Sequence, residues 1–414
     1  MKHVIIGAGP AGITAAEVLR RLDGEASITV LDGEGELPYA RMAIPYMLSG
    51  GIGEEGTLLR RDADHYRMLR IDIEKARAAA VDTAAGTVRL ADGRVIPYDR
   101  LLIATGSVPS RENIEGIDLP GVHTCWTLAD ARAIVAAVRP GARVVQMGAG
   151  FVGCIIMQGL VSRGAELTVL VRSGRVVSRM MPPKASEMIA RWCGTQGVRI
   201  MGKTQAARLE RDGNALKVTL TTGETLPADV YLSVVGVKPG IDFLAGSGIA
   251  IENGIVVDEH LRSNVPGVYA AGDVAESRDC LYGKHQVNAI QPNAVEQARI
   301  AAMNMVGRDV PFIGSLAINV LDTMGLISNS FGQWEGEEGG TKVEHIDEAN
   351  SRYISLQFSG ERLIGASTVG FTDHVGALRG LIQGKVKLGA WRERLLSDPS
   401  LFMAAYLAMS EKLA

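Results

Sequence analysis

The sequence of 414 residues contains little cysteine, and its cysteines are not arranged as a redox or disulfide framework. The four cysteines stand far apart, and no two of them form a C-x-x-C or C-x-x-x-x-C motif: Cys125, Cys154, Cys193 and Cys280. Such spacing argues against a disulfide scaffold and makes the cytoplasm the expected location. We therefore expect the cysteines to act as small buried apolar residues.

Long apolar stretches and an excess of either charge are also missing. No run approaches the ~18–20 apolar residues of a membrane helix, and Met1-Lys2-His3 leads directly into Val4, leaving no room for a secretory signal. The 43 Lys and Arg residues balance 46 Asp and Glu residues, for a net charge of −3. Nothing here predicts a membrane span or a nucleic-acid partner. The seven histidines lack metal-binding spacing, so no metal is expected.

Glycine, in contrast, is abundant, with 49 residues, and it is concentrated in informative places. A short apolar strand ends at Ile6, and a loop with the pattern G-x-G-x-x-G follows, at Gly7, Gly9 and Gly12. A helical pattern and a second strand come next, and that strand ends at Asp32. The order strand, glycine loop, helix, strand is typical of a dinucleotide-binding unit.

Each position in this loop has a physical task. Gly7 permits the tight turn, Gly9 lets the backbone approach a pyrophosphate, and Gly12 lets the helix pack on the strand. The helix N-terminus carries roughly +0.5 charge, which favours a phosphate group. A carboxylate at Asp32 can accept hydrogen bonds from ribose hydroxyls.

The pattern recurs 141 residues later, where a strand leads into Gly148, Gly150 and Gly153. The strand that follows this loop ends without an acidic residue, and Arg172 and Arg175 come directly after it. A carboxylate would repel a 2′-phosphate, whereas arginines can pair with one. The second unit therefore predicts a nicotinamide dinucleotide site and leaves NAD and NADP both open.

Other patterns predict further elements. We expect a buried strand over 230–237, a helix opened by Pro292, and a small sheet near 352–358. The acidic, glycine-rich stretch 335–340 is expected to form a surface hairpin.

On these motifs the sequence resembles the flavoproteins with two dinucleotide-binding domains of the pyridine nucleotide-disulfide oxidoreductase superfamily. More narrowly, it resembles the branch of NADH-dependent rubredoxin and ferredoxin reductases and related oxidases. The resemblance implies an α/β fold of two Rossmann-like domains, for FAD and for NAD(P), plus a smaller α+β C-terminal domain. The expected boundaries are 1–108 with 239–305 for FAD, 109–238 for NAD(P), and 306–414 for the C-terminal domain.

The resemblance also implies the site residues. For FAD they are Gly7, Gly9, Ala11, Gly12, Asp32, Arg41, Tyr46, Ala104, Thr105, Gly106, Gly272, Asp273, Gln291 and Pro292. For the nicotinamide nucleotide they are Gly148, Gly150, Gly153, Arg172, Arg175 and Gly236. By the same resemblance Asp273 binds the ribityl chain, and the helix opened at Gln291 points its positive end at the flavin pyrimidine. No general acid or base is expected, because hydride passes directly between the two rings.

Two positions depart from the family pattern. Met42 stands where some relatives carry a redox cysteine, and a thioether cannot form a sulfenic acid or a mixed disulfide. Ile155 stands where relatives often place a glutamate near the nicotinamide amide. The first departure disfavours thiol-based peroxidase chemistry, and the second puts the nicotinamide pose in question.

Basic residues precede an apolar helix near the C-terminus, at Lys385, Lys387, Arg392 and Arg394. They could dock an acidic electron carrier, or they could face water while the helix covers the protein's own sheet. This tail also resembles those of flavin subunits in larger iron–sulfur enzymes, such as tungsten aldehyde oxidoreductase. A multi-subunit complex through the C-terminal domain is therefore one expectation.

The function expected is an FAD-dependent NAD(P)H oxidoreductase that moves electrons between a nicotinamide cofactor and an iron–sulfur protein or subunit. Two alternatives remain open. One is an NAD(P)H oxidase or quinone reductase without a redox thiol. The other is a non-catalytic, FAD-bound assembly subunit whose nicotinamide site has decayed.

Overall fold

The computed structural model describes residues 1–62 and 64–410. Ala63, in the predicted FAD domain, and residues 411–414, in the predicted C-terminal domain, lie outside the described residues. Contacts between residues divide the chain into two compact units. The first comprises Met1–Ala43, Ile52–Val108 and Val237–Leu316, and the second comprises Ile44–Gly51, Pro109–Gly236 and Ala317–Ala414. The predicted three-domain division stays a prediction.

The strands, in chain order, have the following bounds: β1 (Lys2–Ile6), β2 (Ser27–Leu31), β3 (Ile71–Glu74), β4 (Ala78–Asp82), β5 (Thr87–Leu90), β6 (Val95–Pro97), β7 (Arg100–Ile103), β8 (Ser107–Pro109), β9 (Val122–His123), β10 (Arg143–Met147), β11 (Glu166–Val171), β12 (Arg199–Gly202), β13 (Ala206–Asp212), β14 (Ala215–Leu220), β15 (Thr225–Ala228), β16 (Val230–Ser233), β17 (Val237–Pro239), β18 (Ile255–Val256), β19 (Val268–Ala270), β20 (Ala275–Arg278), β21 (His285–Gln286), β22 (Ile318–Thr323), β23 (Leu326–Gly332), β24 (Thr341–Asp347), β25 (Arg352–Ser359) and β26 (Arg362–Val369).

The α-helices have the following bounds: α1 (Pro10–Leu22), α2 (Ile44–Leu48), α3 (His65–Met68), α4 (Leu128–Ala137), α5 (Phe151–Ser162), α6 (Pro183–Thr195), α7 (Gln291–Met305), α8 (Gly376–Gln383), α9 (Trp391–Ser397) and α10 (Phe402–Ser410). Among the described residues, no helix has both the length and the apolar character needed to cross a membrane.

The first unit is built on a parallel sheet with strand order β19-β7-β1-β2-β3. The strands β1, β7 and β19 are mostly buried apolar runs, as expected where both faces of a parallel sheet are covered. Helices α1 and α7 pack against each other, and small residues let them approach closely: Ala298, Ala301 and Ala302 are fully buried. Two small sheets, β4-β5-β6 and β18-β20-β21, complete the unit.

The second unit contains another parallel sheet, with order β12-β11-β10-β16-β9. The antiparallel sheet β13-β14-β15 contributes apolar side chains to a core shared with one face of this parallel sheet, including Leu209 and Val218. Helix α4 begins with a capping box, in which Thr127 accepts a hydrogen bond from the Asp130 amide and the Asp130 carboxylate accepts one from the Thr127 amide. Both predicted strand–loop–helix–strand units are thus present, one in each compact unit.

The C-terminal part of the second unit is an antiparallel sheet with order β22-β23-β26-β25-β24, accompanied by α8, α9 and α10. One face of each helix is turned inward, since Leu381, Leu395, Phe402 and Met409 are buried, whereas Leu407 on α10 is 52% exposed. Helix α10, the apolar helix near the C-terminus, therefore covers part of its own unit, which is one of the two interpretations that the sequence left open.

Two sequence-based element predictions were wrong in part. The strand expected over 230–237 is broken, because β16 ends at Ser233 and the chain turns at Gly236 with a φ of +119° before β17 begins. The stretch 335–340 is mostly exposed but is not a hairpin: it joins β23 to β24, and β26 and β25 lie between those strands in the sheet. Exposure and glycine content mark a turn but do not say which strands it connects.

We expect the stability of the first unit to fall as the pH drops below about 6.5, because of His3 in β1. His3 is 1% exposed, and neither of its ring nitrogens has a hydrogen-bond partner in the described part of the chain. Burial, the largest cause, lowers its pKa from 6.5 to about 4. The unfolded chain therefore binds more protons between these two values, so the loss grows as the pH falls through that window and reaches about 3 kcal/mol at most.

Urea unfolding between pH 8 and pH 4.5 measures this effect against the variant His3→Phe. In the variant, the free energy of unfolding should lose the part of its pH dependence that comes from His3, since phenylalanine binds no proton in either state. Equal slopes for the two proteins would contradict the assignment.

Candidate functional site

The first glycine loop has close backbone contacts at both ends and free space in the middle. Gly7 has a φ of +113°, and a methyl group there would collide with the carbonyl oxygen of Ala104. A methyl group at Gly12 would collide with the carbonyl oxygen of Gly7. A methyl group at Gly9, in contrast, would meet nothing within 4 Å. The loop therefore fits a ligand that lies against Gly9, as a pyrophosphate would.

Two helix N-termini meet beside this loop. Helix α1 begins after Gly9, helix α7 begins at Gln291 with Pro292 in its first turn, and neither has a side-chain cap. Gly272 lies between them: a methyl group there would contact the Cβ of Ala11 at 3.3 Å and the Cβ of Ala294 at 3.5 Å. Uncapped N-termini offer free amide donors and a positive dipole end, which favour an anionic group.

Asp32 directly follows β2 and has an unused carboxylate oxygen. Its Oδ1 accepts a hydrogen bond from the Glu34 amide at 3.0 Å, while its buried Oδ2 has no partner within the described residues. Burial raises the pKa of this carboxyl above its ordinary value. A buried acceptor without a donor is costly, and a ribose hydroxyl would supply that donor. Asp32 therefore fits the role predicted for it.

Asp273, the second predicted acid of this unit, is held by a residue that the sequence did not reveal. The Ser107 hydroxyl donates to its Oδ2 at 3.1 Å. Burial is the largest influence on Asp273 and raises its pKa, while the Ser107 hydrogen bond and the positive charge of Arg41 oppose the shift. The only sequence signal for Ser107 is its place directly after the turn formed by Ala104, Thr105 and Gly106.

That turn is tied to the end of β17. The Thr105 hydroxyl donates to the Gly240 carbonyl oxygen at 2.8 Å, and the Gly240 amide donates to the Gly106 carbonyl oxygen at 2.9 Å. Gly106 has a φ of +65°, which favours glycine. The structure therefore brings the turn residues, Gly272 and Asp273 together in the first unit.

Arg41 and Tyr46 are placed differently from each other. Arg41 forms an ion pair with Glu34 and donates to the Tyr39 hydroxyl at 2.8 Å, so it belongs to a polar cluster of the first unit. Tyr46 lies in α2 and is 59% exposed, and its contacts assign it to the second unit. Their predicted contacts with FAD stay predictions.

The second glycine loop repeats the geometry of the first. A methyl group at Gly148 would collide with the Val234 carbonyl oxygen, one at Gly153 would collide with the Gly148 carbonyl oxygen, and one at Gly150 would meet nothing within 4 Å. The fully buried Gln146, in β10, donates to the carbonyl oxygens of Gly148 at 2.8 Å and of Gly153 at 3.0 Å. The glycine motif itself gives no sign of this support from Gln146.

The loop after β11 carries the two predicted arginines, and both are exposed. Arg172 directly follows the strand end at Val171, and a methyl group at Gly174 would contact the Lys203 side chain at 3.0 Å. Lys203, which follows β12, therefore adds a third positive charge that the sequence analysis missed. The loop is fixed to the glycine loop, because the Val177 amide donates to the Ala149 carbonyl oxygen at 2.7 Å.

Gly236, the remaining predicted residue, lies in the turn between β16 and β17 with a φ of +119°. Its carbonyl oxygen accepts a hydrogen bond from the Ser110 amide at 2.9 Å. The turn therefore lies at the carboxyl end of β16, on the same edge of the sheet as the second glycine loop.

The cysteines are placed as expected for apolar core residues. All four are free and buried. Burial raises the thiol pKa to about 12 for Cys125 and to about 11 for Cys193, and raises that of Cys154 as well. The thiolate is the reactive form, so these three are inert as nucleophiles near neutral pH.

We expect Gly9→Ala to weaken FAD binding at least ~10-fold while leaving the fold intact, because the added methyl group enters the free space over the loop without touching protein atoms. Gly24→Ala is the matched control, since a methyl group at Gly24 also meets nothing within 4 Å. FAD titration by flavin fluorescence and thermal unfolding of the apoproteins measure the two properties. Unchanged FAD affinity in Gly9→Ala would show that the pyrophosphate lies elsewhere.

Comparison with known proteins supports this arrangement. Residues 1–303 match the model of the pyridine nucleotide-disulphide oxidoreductase family. The chain is 33% identical over 401 residues to NADH-dependent phenylglyoxylate dehydrogenase subunit epsilon of Aromatoleum evansii, covering 96% of this chain and 95% of that one. It is 32% identical over 419 residues to the ferredoxin–NAD(+) reductase component of the anthranilate 1,2-dioxygenase system of Burkholderia cepacia, covering 98% of each.

Among solved structures, the chain is similar to putidaredoxin reductase in its covalent complex with putidaredoxin. The TM-score is 0.91, the identity is 25%, and 99% of each chain is covered. Together with the two glycine loops and the unpartnered oxygen of Asp32, these matches identify the chain as a member of the pyridine nucleotide-disulphide oxidoreductase family, an oxidoreductase that uses FAD and NAD(H).

Proposed function

We propose that the chain moves electrons between a nicotinamide nucleotide and an iron–sulfur protein or subunit by way of FAD. The observation that carries this proposal is the pairing of two dinucleotide loops with an absence of accessible thiols among the described residues. A bound flavin exchanges hydride with nicotinamide and passes electrons singly to a metal centre. Without a reactive sulfur nearby, electrons have no route through a protein disulfide.

The chain's own residues bind and orient the cofactors. We assign Asp32 to the adenosine ribose of FAD and Gly9, at the start of α1, to its pyrophosphate. Asp273, held by Ser107, is assigned to the ribityl chain, and the N-terminus of α7 to the flavin ring. Gly150 has the corresponding role for the nicotinamide dinucleotide.

The partner is proposed to be an iron–sulfur subunit of a larger assembly. The names of the relatives support this, since one is a subunit of a dehydrogenase and another is the reductase component of a dioxygenase system. We also propose a cytoplasmic location, because four buried free thiols suit a reducing compartment.

A basic surface on the C-terminal sheet is proposed as the contact for an acidic partner. Arg362, at the start of β26, lies directly opposite Lys387, and Lys385 follows two residues away along the same segment. All three are exposed. Like charges held opposite each other repel, and an acidic partner would relieve that repulsion. Arg392 is excluded from this surface because it bonds Gly360, Thr341 and Glu393 within the unit.

The variant Lys387→Glu should raise the KM for an acidic [2Fe–2S] ferredoxin about 10-fold at low salt, with little change when both proteins are assayed at 0.5 M salt. Lys217→Glu, on β14, is the control, because it also reverses an exposed charge of the second unit but lies outside the basic surface. The assay reduces the flavoprotein with NADH under anaerobic conditions and follows ferredoxin bleaching. Flavin that stays oxidised with NADH, or that air reoxidises faster than ferredoxin does, would contradict the proposed function.

The nicotinamide site is proposed to accept NADP(H) as well as NAD(H). No acid follows β11, and Arg172, Arg175 and Lys203 supply positive charge where a 2′-phosphate would lie.

Arg172→Gln should therefore weaken NADPH binding ~10-fold or more and change NADH binding less than about 2-fold, since a charge-assisted hydrogen bond contributes about 1.5–3 kcal/mol. Titration calorimetry with both nucleotides measures this, with Arg191→Gln as the control because Arg191 pairs with Glu348. Equal losses for both nucleotides would contradict the assignment.

A further inference from the structure

A carboxylate at the second site is held in place by two buried hydroxyl groups, and neither sequence motif includes it. Glu112 lies in the segment between β8 and β9. The Tyr231 hydroxyl donates to its Oε1 at 2.6 Å, and the Ser233 hydroxyl donates to its Oε2 at 2.6 Å. Tyr231 is fully buried and Ser233 is 2% exposed, whereas Glu112 itself is only partly buried. The two donors therefore fix both carboxylate oxygens while leaving Glu112 accessible.

The position of this carboxylate follows from the sheet topology. Ser233 ends β16 and is paired with Met147, which ends β10 directly before the glycine loop. From β10 the chain adds β11 and then β12 on one side of the sheet, whereas β16 lies on the opposite side of β10. The strand order therefore reverses between β10 and β16. Ligands of open parallel sheets bind outside the carboxyl ends of the strands at such a reversal. Glu112 therefore lies at the edge where the dinucleotide is expected.

The segment between β8 and β9 contacts this edge of the sheet at a second point as well. The Ser110 amide donates to the carbonyl oxygen of Gly236, which is itself one of the predicted nicotinamide-site residues. Glu112 is thus two residues from a backbone contact with that turn. Its placement rests on two independent sets of hydrogen bonds, one from β16 side chains and one from the backbone.

The chemistry of the group suits a nicotinamide. An ionised carboxylate has about four acceptor positions, and the two hydroxyls occupy two of them. The nicotinamide carboxamide carries two N–H donors. Ile155, in the first half of α5 just after the second glycine loop, has an apolar side chain with no acceptor to offer them. The second site therefore needs an acceptor from another segment.

We propose that Glu112 is a positioning residue that accepts a hydrogen bond from the carboxamide of the nicotinamide ring. Tyr231 and Ser233 aim its carboxylate, and the remaining acceptor positions face the ligand. The proposal rests on the assignment of the second glycine loop to a nicotinamide nucleotide. It adds that recognition of the nicotinamide half comes from the segment between β8 and β9, and not from α5.

The test compares two ligands that differ in the nicotinamide ring. NADH carries it and ADP-ribose does not, while both carry the adenosine and pyrophosphate parts that the glycine loop holds. Calorimetry on the FAD-loaded protein should show that Glu112→Gln weakens NADH binding about 10-fold and leaves ADP-ribose binding within 2-fold. Ser233→Ala should act in the same direction with a smaller effect, because the carboxylate loses one of its two fixing bonds.

Glu115→Gln is the matched control, since Glu115 lies three residues away in the same segment, is exposed and contacts Arg208 at a distance of 3.9 Å. It should leave both ligands unaffected. Thermal unfolding of each variant checks the fold. If Glu112→Gln fails to fold, the binding of NADH and of ADP-ribose to Ser233→Ala serves as the test instead.

Equal weakening of NADH and ADP-ribose, or no weakening of either, would show that Glu112 only fastens the segment to β16, and would overturn this inference alone. Wild-type protein that binds neither ligand would overturn the assignment of the second loop, and with it this inference.

Discussion

Both predicted dinucleotide sites depend on one constraint: the first glycine of each loop passes so close to a neighbouring backbone carbonyl that no side chain fits. Gly7 is confined by Ala104 and Gly148 by Val234, and in each case the carbonyl belongs to the residue directly after a neighbouring parallel strand. The close approach presses the loop against the strand ends and leaves the middle glycine facing open space. The same constraint also positions the segments that follow those strands, which supply Thr105 in one unit and Gly236 in the other. The ligand-binding geometry is therefore a consequence of backbone packing before any side chain contributes.

Side chains then make the two sites different. In the first unit Asp32 directly follows the strand after the loop, and its buried Oδ2 has no donor among the described residues, so a hydroxyl-bearing ligand would supply the missing hydrogen bond. In the second unit the corresponding strand ends at Val171, and the charges nearby are positive. One scaffold thus carries two electrostatic environments. In the first predicted site, burial raises the pKa values of two acids, Asp32 and Asp273.

The sequence predicted the parts of these sites that are local along the chain. A glycine loop between a strand and a helix spans few residues, so its spacing can be recognised from the sequence without knowledge of the fold. Ser107 and Asp273, in contrast, are 166 residues apart, and Glu112 lies 119 and 121 residues from its two donors. Such pairs form only when parallel strands bring distant segments to one edge. The wrong hairpin at 335–340 has the same origin, because composition marks a turn while strand order depends on contacts far along the chain.

The absence of a usable thiol connects the site to the proposed function. Cys125, Cys154 and Cys193 have raised thiol pKa values because they are buried, and the thioether of Met42 cannot form a mixed disulfide. Thiol chemistry would require a thiolate near the flavin, and the raised pKa values of Cys125, Cys154 and Cys193 keep these three thiols protonated near neutral pH. The proposed function therefore has electrons leave the flavin by direct transfer to an iron–sulfur acceptor. The proposed basic surface at Arg362 and Lys387 suits an acidic carrier, and long-range attraction between opposite charges raises the rate at which such partners meet.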